Sequence, residues 1–166
     1  MKEIYLLRHA KSSWKYPELN DFERPLNGRG RSDAPLMGRV LKKAKINADL
    51  IISSPATRAA LTARIVADLL GVSEEEIQFD ASIYDASPSG LIKLVNQLPD
   101  RIKTIVLVGH NPGLTSLANM IGDKSVSNIP TTGCYGIEFK TGKWSDIGNL
   151  RGKCVLFEFP KKHYST

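Results

Sequence analysis

Short apolar runs alternate with amphipathic helical segments through most of this 166-residue chain. Runs such as IVLVG are apolar at every position, which is typical of strands buried on both faces of a sheet. The alternation predicts an α/β protein, a three-layer α/β/α sandwich with a mostly parallel central sheet. The last two strands have no helix between them, so we expect an antiparallel C-terminal edge. The predicted strands are residues 3–8, 49–53, 77–79, 104–109, 134–140 and 153–159, and the predicted helices are residues 29–45, 56–70, 89–97 and 114–121.

The length and composition predict one soluble globular domain spanning residues 1–166. Hydrophobic residues make up 42% of the chain and charged residues 24%, as is usual for such domains. No apolar stretch is long enough to span a bilayer. Only four apolar residues precede Arg8, which does not fit a signal peptide, so a cytoplasmic location is expected.

The formal net charge of +6 and the pI of about 9.4 favour anionic partners. Nucleic acids, phosphoproteins and small phosphate esters all fit that charge. The basic residues are not gathered into one run, and an aromatic content of 7% gives little sign of a base-stacking surface. We therefore expect a phosphate-bearing substrate, with neither nucleic acid nor membrane as a partner. The oligomeric state is left open.

The two cysteines, Cys134 and Cys154, are predicted to be reduced thiols. They have no CxxC spacing and no clustered histidines beside them, so a zinc site is not expected. The chain also lacks the aspartate-rich clusters that hold magnesium. The sequence thus predicts no metal and no cofactor.

Basic side chains follow three of the predicted strands at the points where those strands end. Arg8 and His9 close the first strand, Arg58 lies near the start of the helix after the second, and His110 follows the fourth. In such sheets, ligands bind beyond the carboxyl ends of the strands. We therefore expect these four side chains to form one phosphate pocket.

Helix-capping patterns follow two of these strand ends. Ser54 is a good N-cap and Pro55 a good first helical residue, and Asn111 and Pro112 repeat the pattern after His110. The N–H groups of a helix N-terminus form a natural anion site. Both patterns therefore agree with a phosphate pocket.

The residue types predict phosphoryl transfer. Arginine holds phosphoryl oxygens through a planar fork of donors, and a neutral imidazole is a good nucleophile toward phosphorus. The second histidine, if protonated, adds a donor where transition-state charge collects. Competing phosphate-binding motifs fail: GIEFKTGKW has five residues between its glycines where a Walker A loop has four, and neither cysteine is followed six residues later by arginine. Since side chains supply the positive charge, a metal is not required.

The segments LLRHAKSSW, RPLNGRGRSDAP, SSPATRAALTA and VGHNPGL, in this order, resemble the histidine phosphatase superfamily, which has a phosphoglycerate mutase-like fold. The short length and RHA in place of the more common RHG make the chain most similar to the SixA-like branch of phosphohistidine phosphatases. The resemblance covers nearly the whole chain. It implies that His9 is phosphorylated on a ring nitrogen and that Arg8, Arg58 and His110 complete the catalytic pocket.

The resemblance also implies a carboxylic acid in a loop after the middle of the chain. Asp85 occupies that place and is a candidate general acid, with an ordinary turn or capping aspartate as the alternative. Lys11, Ser12 and Ser13 follow the nucleophile and are expected to bind substrate.

The leading prediction is a metal-independent phosphohydrolase that works through phosphorylated His9 and acts on a phosphohistidine protein. A small phosphate ester is the alternative substrate. The alternative from another class is a non-catalytic basic module that binds phosphate or nucleic acid.

Overall fold

The computed structural model describes residues 1–165 and contains a six-stranded sheet with helices on both faces. Short 3-10 turns lie in several of the loops. The strands are β1 (Lys2–Arg8), β2 (Leu50–Ser53), β3 (Ile77–Phe79), β4 (Thr104–Gly109), β5 (Cys134–Phe139) and β6 (Lys153–Glu158). The helices are α1 (Gly28–Lys43), α2 (Thr57–Leu70), α3 (Pro88–Asn96) and α4 (Gly113–Ile121).

The sheet has the order β3-β2-β4-β1-β5-β6. Strands β1 to β4 pair in parallel, whereas β5 is antiparallel to both β1 and β6. The predicted fold class, including the antiparallel C-terminal edge, is therefore confirmed. In the register of β1 and β4, Arg8 lies opposite Gly109, so the residues that follow these two strands meet at one edge of the sheet.

The alternation of side chains along β1 separates two hydrophobic cores. Ile4 and Leu6 pack with residues of α3 and α4, whereas Tyr5 and Leu7 pack with residues of α1 and α2. This follows from the two-residue period of a strand, which sends successive side chains to opposite faces. Fully burying a side chain such as Leu6 stabilises the fold by about 1.5–3 kcal/mol. The two cores hold the sheet in place and leave its carboxyl edge to carry the site.

Two predicted capping patterns turn out differently. The N-cap of α2 is Ala56, and its helix starts at Thr57. Ser54 does not cap α2, because its hydroxyl lies in the turn before the helix, where it accepts a hydrogen bond from Ala56 N at 3.2 Å. After β4, the N-cap position of α4 is Pro112 and not Asn111, although Asn111 Oδ1 still accepts from Thr115 N, in the first turn, at 3.1 Å.

The predicted helix over residues 29–45 ends two residues early. Ala44 is its C-cap, and Lys45 has a φ of 61°, in the left-handed region that ends a helix. Both cysteines are free, as predicted, and Cys134 is buried. No helix within residues 1–165 is long and apolar enough to cross a membrane.

Candidate active site

The carboxyl edge of the parallel strands carries a cavity of about 340 Å³. Its lining includes four cationic side chains and two histidines, and within the described residues it includes no carboxylate. Such a charge balance attracts a polyanion. The cavity is lined by Arg8, His9, Lys11, Ser12, Trp14, Arg24, Arg58, His110, Asn111 and Thr131.

His9 directly follows β1 and is only 8% exposed. Its Nδ1 lies 2.8 Å from the main-chain oxygen of Ala10. Because a carbonyl oxygen only accepts hydrogen bonds, Nδ1 carries the hydrogen and donates it. Burial is the main reason that the pKa of His9 is lowered to about 3, and the positive charge of nearby Arg58 lowers it further. At neutral pH the ring is therefore uncharged, with the lone pair on Nε2.

Arg58 extends from the first turn of α2 to His9. Its Nε donates to His9 Nε2 over a long 3.4 Å, while its Nη1 and Nη2 donate to the main-chain oxygen and the carboxylate of Asp21 at 2.6 and 2.9 Å. The guanidinium is 7% exposed, so this pairing takes place in partly desolvated surroundings. Asp21 therefore holds Arg58 against His9.

Asp21 is a carboxylate beside the cavity that the sequence prediction did not include. A hydrogen bond from Tyr84, at 2.5 Å, and the bonds from Arg58 lower the pKa of Asp21 to about 2. Arg24 donates to its other carboxylate oxygen at 2.8 Å. The available sequence signal was weak: Asn20 caps the short turn at Asp21, and the helical spacing of Asp21 and Arg24 favours an ion pair.

Arg8 enters the cavity from the last residue of β1. Its Nη1 donates to the main-chain oxygen of Ile129 at 3.0 Å, and its Nε is buried without a hydrogen-bond partner among the described residues. Because a buried donor without a partner costs free energy, this N–H is suited to a ligand. The arrangement leaves donor capacity on Arg8 for an anion.

His110 follows β4, and its ring centroid lies 5.1 Å from that of His9. The edge of Tyr84 packs against it at 5.3 Å. Burial and the charge of Arg58 lower the pKa of His110 to about 4, so this imidazole is also neutral at pH 7. The sequence left the protonation of this second histidine open, and its surroundings favour the neutral form.

Six of the eight predicted site residues line the cavity. Ser13 does not: Ser12 pairs with Leu26 as an extended bridge, and neighbouring extended residues point to opposite sides. The Ser13 hydroxyl instead accepts from Lys15 N at 3.0 Å. The structure also keeps Asp85 out of the cavity, because the turn before it directs Tyr84 inward and leaves Asp85 exposed.

Four further lining residues were not predicted as site residues: Trp14, Arg24, Asn111 and Thr131. Trp14 stands in the quoted segment LLRHAKSSW, yet nothing in that pattern separated it from an ordinary loop residue. The guanidinium of Arg24 stacks on its ring at 3.2 Å from the centroid and bonds to the hydroxyl of Ser12. The cavity as a whole is thus a cationic site at the carboxyl edge of an α/β sheet, of a kind suited to a phosphoryl group.

The sequence profile of the histidine phosphatase superfamily (branch 1) matches residues 4–86. The chain belongs to this superfamily and is a phosphatase. An uncharacterised chloroplast protein of Arabidopsis thaliana is 34% identical over 160 residues, covering 91% of this chain and 72% of the relative. A protein of Hydrogenobacter thermophilus assigned as phosphoserine phosphatase 2 is 40% identical over 75 residues, which is 43% of this chain and 35% of that protein.

The fold also matches solved structures closely. The crystal structure of an Agrobacterium tumefaciens protein assigned as the phosphohistidine phosphatase SixA superposes with a TM-score of 0.80 at 28% identity, covering 96% of this chain and 98% of that one. The protein histidine phosphatase SixA complexed with tungstate gives a TM-score of 0.79 at 17% identity, covering 98% of this chain and 99% of that one. The chain is thus SixA-like within its superfamily.

Proposed function

We propose that this phosphatase removes phosphoryl groups from histidine side chains of proteins, and that Nε2 of His9 carries the phosphoryl group between two steps. The hydrogen bond from His9 Nδ1 to the Ala10 carbonyl supports this role, because it leaves the Nε2 lone pair available. Arg58 contacts that nitrogen and Arg8 lines the same cavity, so the two guanidinium groups can share the phosphoryl oxygens.

In the first step, His9 Nε2 attacks phosphorus, and the bond from phosphorus to the substrate nitrogen breaks. The departing imidazole is stable and takes its proton from solvent, so this step needs little help from a general acid. Arg8 and Arg58 stabilise the charge on the equatorial oxygens. The phosphoryl group competes with Asp21 for the donors of Arg58, which Asp21 holds in the free enzyme.

In the second step, water attacks the phosphorus of phosphorylated His9 and the P–N bond breaks. Inorganic phosphate leaves, and the lone pair returns to Nε2. Both protons of the water leave on the inorganic phosphate, so the step balances without a general base. Asp21 does not line the cavity and acts on this step only through Arg58, which it holds in place.

We infer that neither step uses a metal, because arginine and lysine side chains supply the positive charge that the phosphoryl oxygens need. Within residues 1–165, no three His, Cys, Asp or Glu side chains are grouped as they would be to hold a metal ion. We expect phosphatase activity to be unchanged by EDTA.

Exposed aromatic side chains at the rim of the cavity support the proposal of a protein substrate. The segment between β1 and α1 holds three exposed aromatic side chains, and Trp14, which also lines the cavity, is 79% exposed. Tyr16 and Phe22 are 43% and 38% exposed. Exposed aromatic side chains beside an open site are typical of a protein contact. The 28% identity to the SixA protein of Agrobacterium tumefaciens supports the same substrate class.

A small phosphate ester is the second candidate, favoured by the partial match to phosphoserine phosphatase 2. The two are separated by comparing kcat/KM for free phosphoserine with kcat/KM for a protein phosphorylated on histidine by phosphoramidate, both with EDTA present. We expect the phosphohistidine protein to be preferred by about 100-fold or more. A preference for phosphoserine would overturn the proposal and favour the small ester.

Trp14→Ala tests the rim separately. Removing the indole takes away exposed contact area, so we expect a rise of about tenfold in KM for the phosphohistidine protein. Turnover of free phosphohistidine, which is too small to reach across the rim, should fall much less. Equal losses on both substrates would mean that Trp14 acts only inside the cavity.

A further inference from the structure

Ser54 makes a contact with His110 that the proposed chemistry has not yet used. Ser54 follows β2 and is completely buried, and its Oγ lies 2.8 Å from His110 Nε2. The same oxygen accepts a hydrogen bond from Ala56 N at 3.2 Å. Two neighbouring strand ends therefore meet through one hydroxyl group.

The hydrogen-bond inventory decides which group donates. With the Ala56 N–H already on its oxygen, the Ser54 hydroxyl needs an acceptor for its own hydrogen, and within the described residues the contact that offers one is His110 Nε2. If Nε2 carried a hydrogen instead, Ser54 would accept twice and its buried O–H would have no acceptor, which is costly. The hydroxyl therefore donates to Nε2.

This arrangement places the histidine hydrogen on Nδ1, which is buried and has no partner among residues 1–165. Its ring faces His9 and lines the phosphate cavity. The low pKa of His110 agrees with a neutral ring. In the opposite tautomer, Nδ1 would present a lone pair, which repels a phosphoryl oxygen.

We propose that Ser54 is a positioning residue that holds His110 as the neutral Nδ1–H tautomer, so that His110 donates a hydrogen bond to the phosphoryl group without being protonated. The inference rests on the proposed function, because it assigns the phosphoryl group to this cavity. It adds a third strand end to the site: β1 supplies the nucleophile, β4 the donor, and β2 the hydroxyl that orients the donor.

The test compares Ser54→Ala with Ser53→Ala. Ser53 is equally buried, but its hydroxyl donates to the main-chain oxygen of Ser54 and does not contact His110 in the structure. We expect Ser54→Ala to lower kcat on an aryl phosphate by about 10–100-fold with KM changed less than about threefold, because the donor is misplaced where transition-state charge develops. Ser53→Ala should keep most of the activity.

Nitrogen-15 NMR of the ring nitrogens reports the tautomer of His110, which would be the same in Ser54→Ala if the role of Ser54 were purely structural. The chain has three histidines, so His163→Gln and His9→Gln assign the signals. We expect a neutral Nδ1–H form of His110 in the wild-type protein and a shift of that proton on adding inorganic phosphate. Ser54→Ala should populate the Nε2–H form.

A wild-type Nε2–H tautomer would overturn the inference even if Ser54→Ala failed to fold. Equal activities of Ser54→Ala and Ser53→Ala, with the tautomer unchanged, would also overturn it. The proposed function has its own control: if His110→Ala keeps full activity, the assignment of this cavity fails whatever Ser54 does. A strong loss in His110→Ala with none in Ser54→Ala would remove only the role of Ser54.

Discussion

The hydrogen bond between His9 Nδ1 and the Ala10 carbonyl determines what this imidazole can do. It fixes the tautomer with a free Nε2, and burial keeps the ring unprotonated. Arg58 stands beside that nitrogen, with its remaining donors held by Asp21. Single contacts with one neighbour each therefore orient the two residues to which we assign the roles of nucleophile and anion-binding group.

The first prediction compares two carboxylates. Asp21→Asn removes the ionised partner of Arg58 and Tyr84, and we expect the kcat for an aryl phosphate to fall by about tenfold or more. Asp85→Asn changes an exposed side chain outside the cavity, so its kcat should stay within about twofold of wild type. Steady-state kinetics on both variants measures this. A large loss in Asp85→Asn alone would restore Asp85 as the general acid and contradict the role given to Asp21.

At the scale of elements, helix α1 supports one wall of the cavity. Asn27 caps the helix by accepting from Gly30 N at 2.8 Å, and its own N–H donates to the Lys11 carbonyl at 3.0 Å. A Cβ at Gly30 would collide with that same carbonyl oxygen. The start of α1 therefore lies directly against the backbone of Lys11, which lines the site.

Gly30→Ala should lower the free energy of unfolding by about 1–3 kcal/mol, because the added methyl meets main-chain atoms that cannot turn away. Activity should fall as well, since Lys11 moves. Gly28→Ala, two residues earlier in the same helix, has its nearest atom at 3.9 Å and should change stability by less than about 0.5 kcal/mol. Urea unfolding of the two variants measures the difference. Equal stabilities would mean that the helix start shifts freely.

The strands, the helices and the four basic strand-end residues could be predicted because each depends on local pattern. Apolar runs identify strands, and parallel order then brings Arg8 and His110 to one edge. Asp21 could not be predicted in the same way, because its position depends on how an irregular loop folds back over α2. Ser54 was predicted to cap α2 for a related reason. A serine followed by proline fits a capping pattern in the sequence, whereas the contact of the Ser54 hydroxyl with His110 depends on the tertiary structure.

For the protein as a whole, stability depends on keeping two histidines of the site neutral, His9, which is buried, and His110, which is half-buried. The pKa of His9 is about 3 and that of His110 about 4, both below the value of about 6.5 in an unfolded chain. Between those values the unfolded state binds protons that the folded state does not. The stability from this source is therefore complete above about pH 6.5 and declines as the pH falls toward 4.

We accordingly expect the free energy of unfolding to fall between about pH 7.5 and pH 5, and to fall less in His9→Asn and His110→Asn. His163→Gln replaces the third histidine, which is more exposed, and should keep the wild-type dependence. Denaturant unfolding at the two pH values measures each slope. If the variants retain the full wild-type slope, the two site histidines are not the groups responsible.

Mass spectrometry of enzyme quenched within one turnover of an aryl phosphate, without acid, shows whether His9 carries the phosphoryl group. We predict one phosphoryl group on the peptide that contains His9 and none on the peptide that contains His163. His9→Ala should remain folded, lose activity by about a thousandfold or more, and carry no phosphoryl group. An active His9→Ala enzyme, or a phosphoryl group trapped on another residue, would contradict the account.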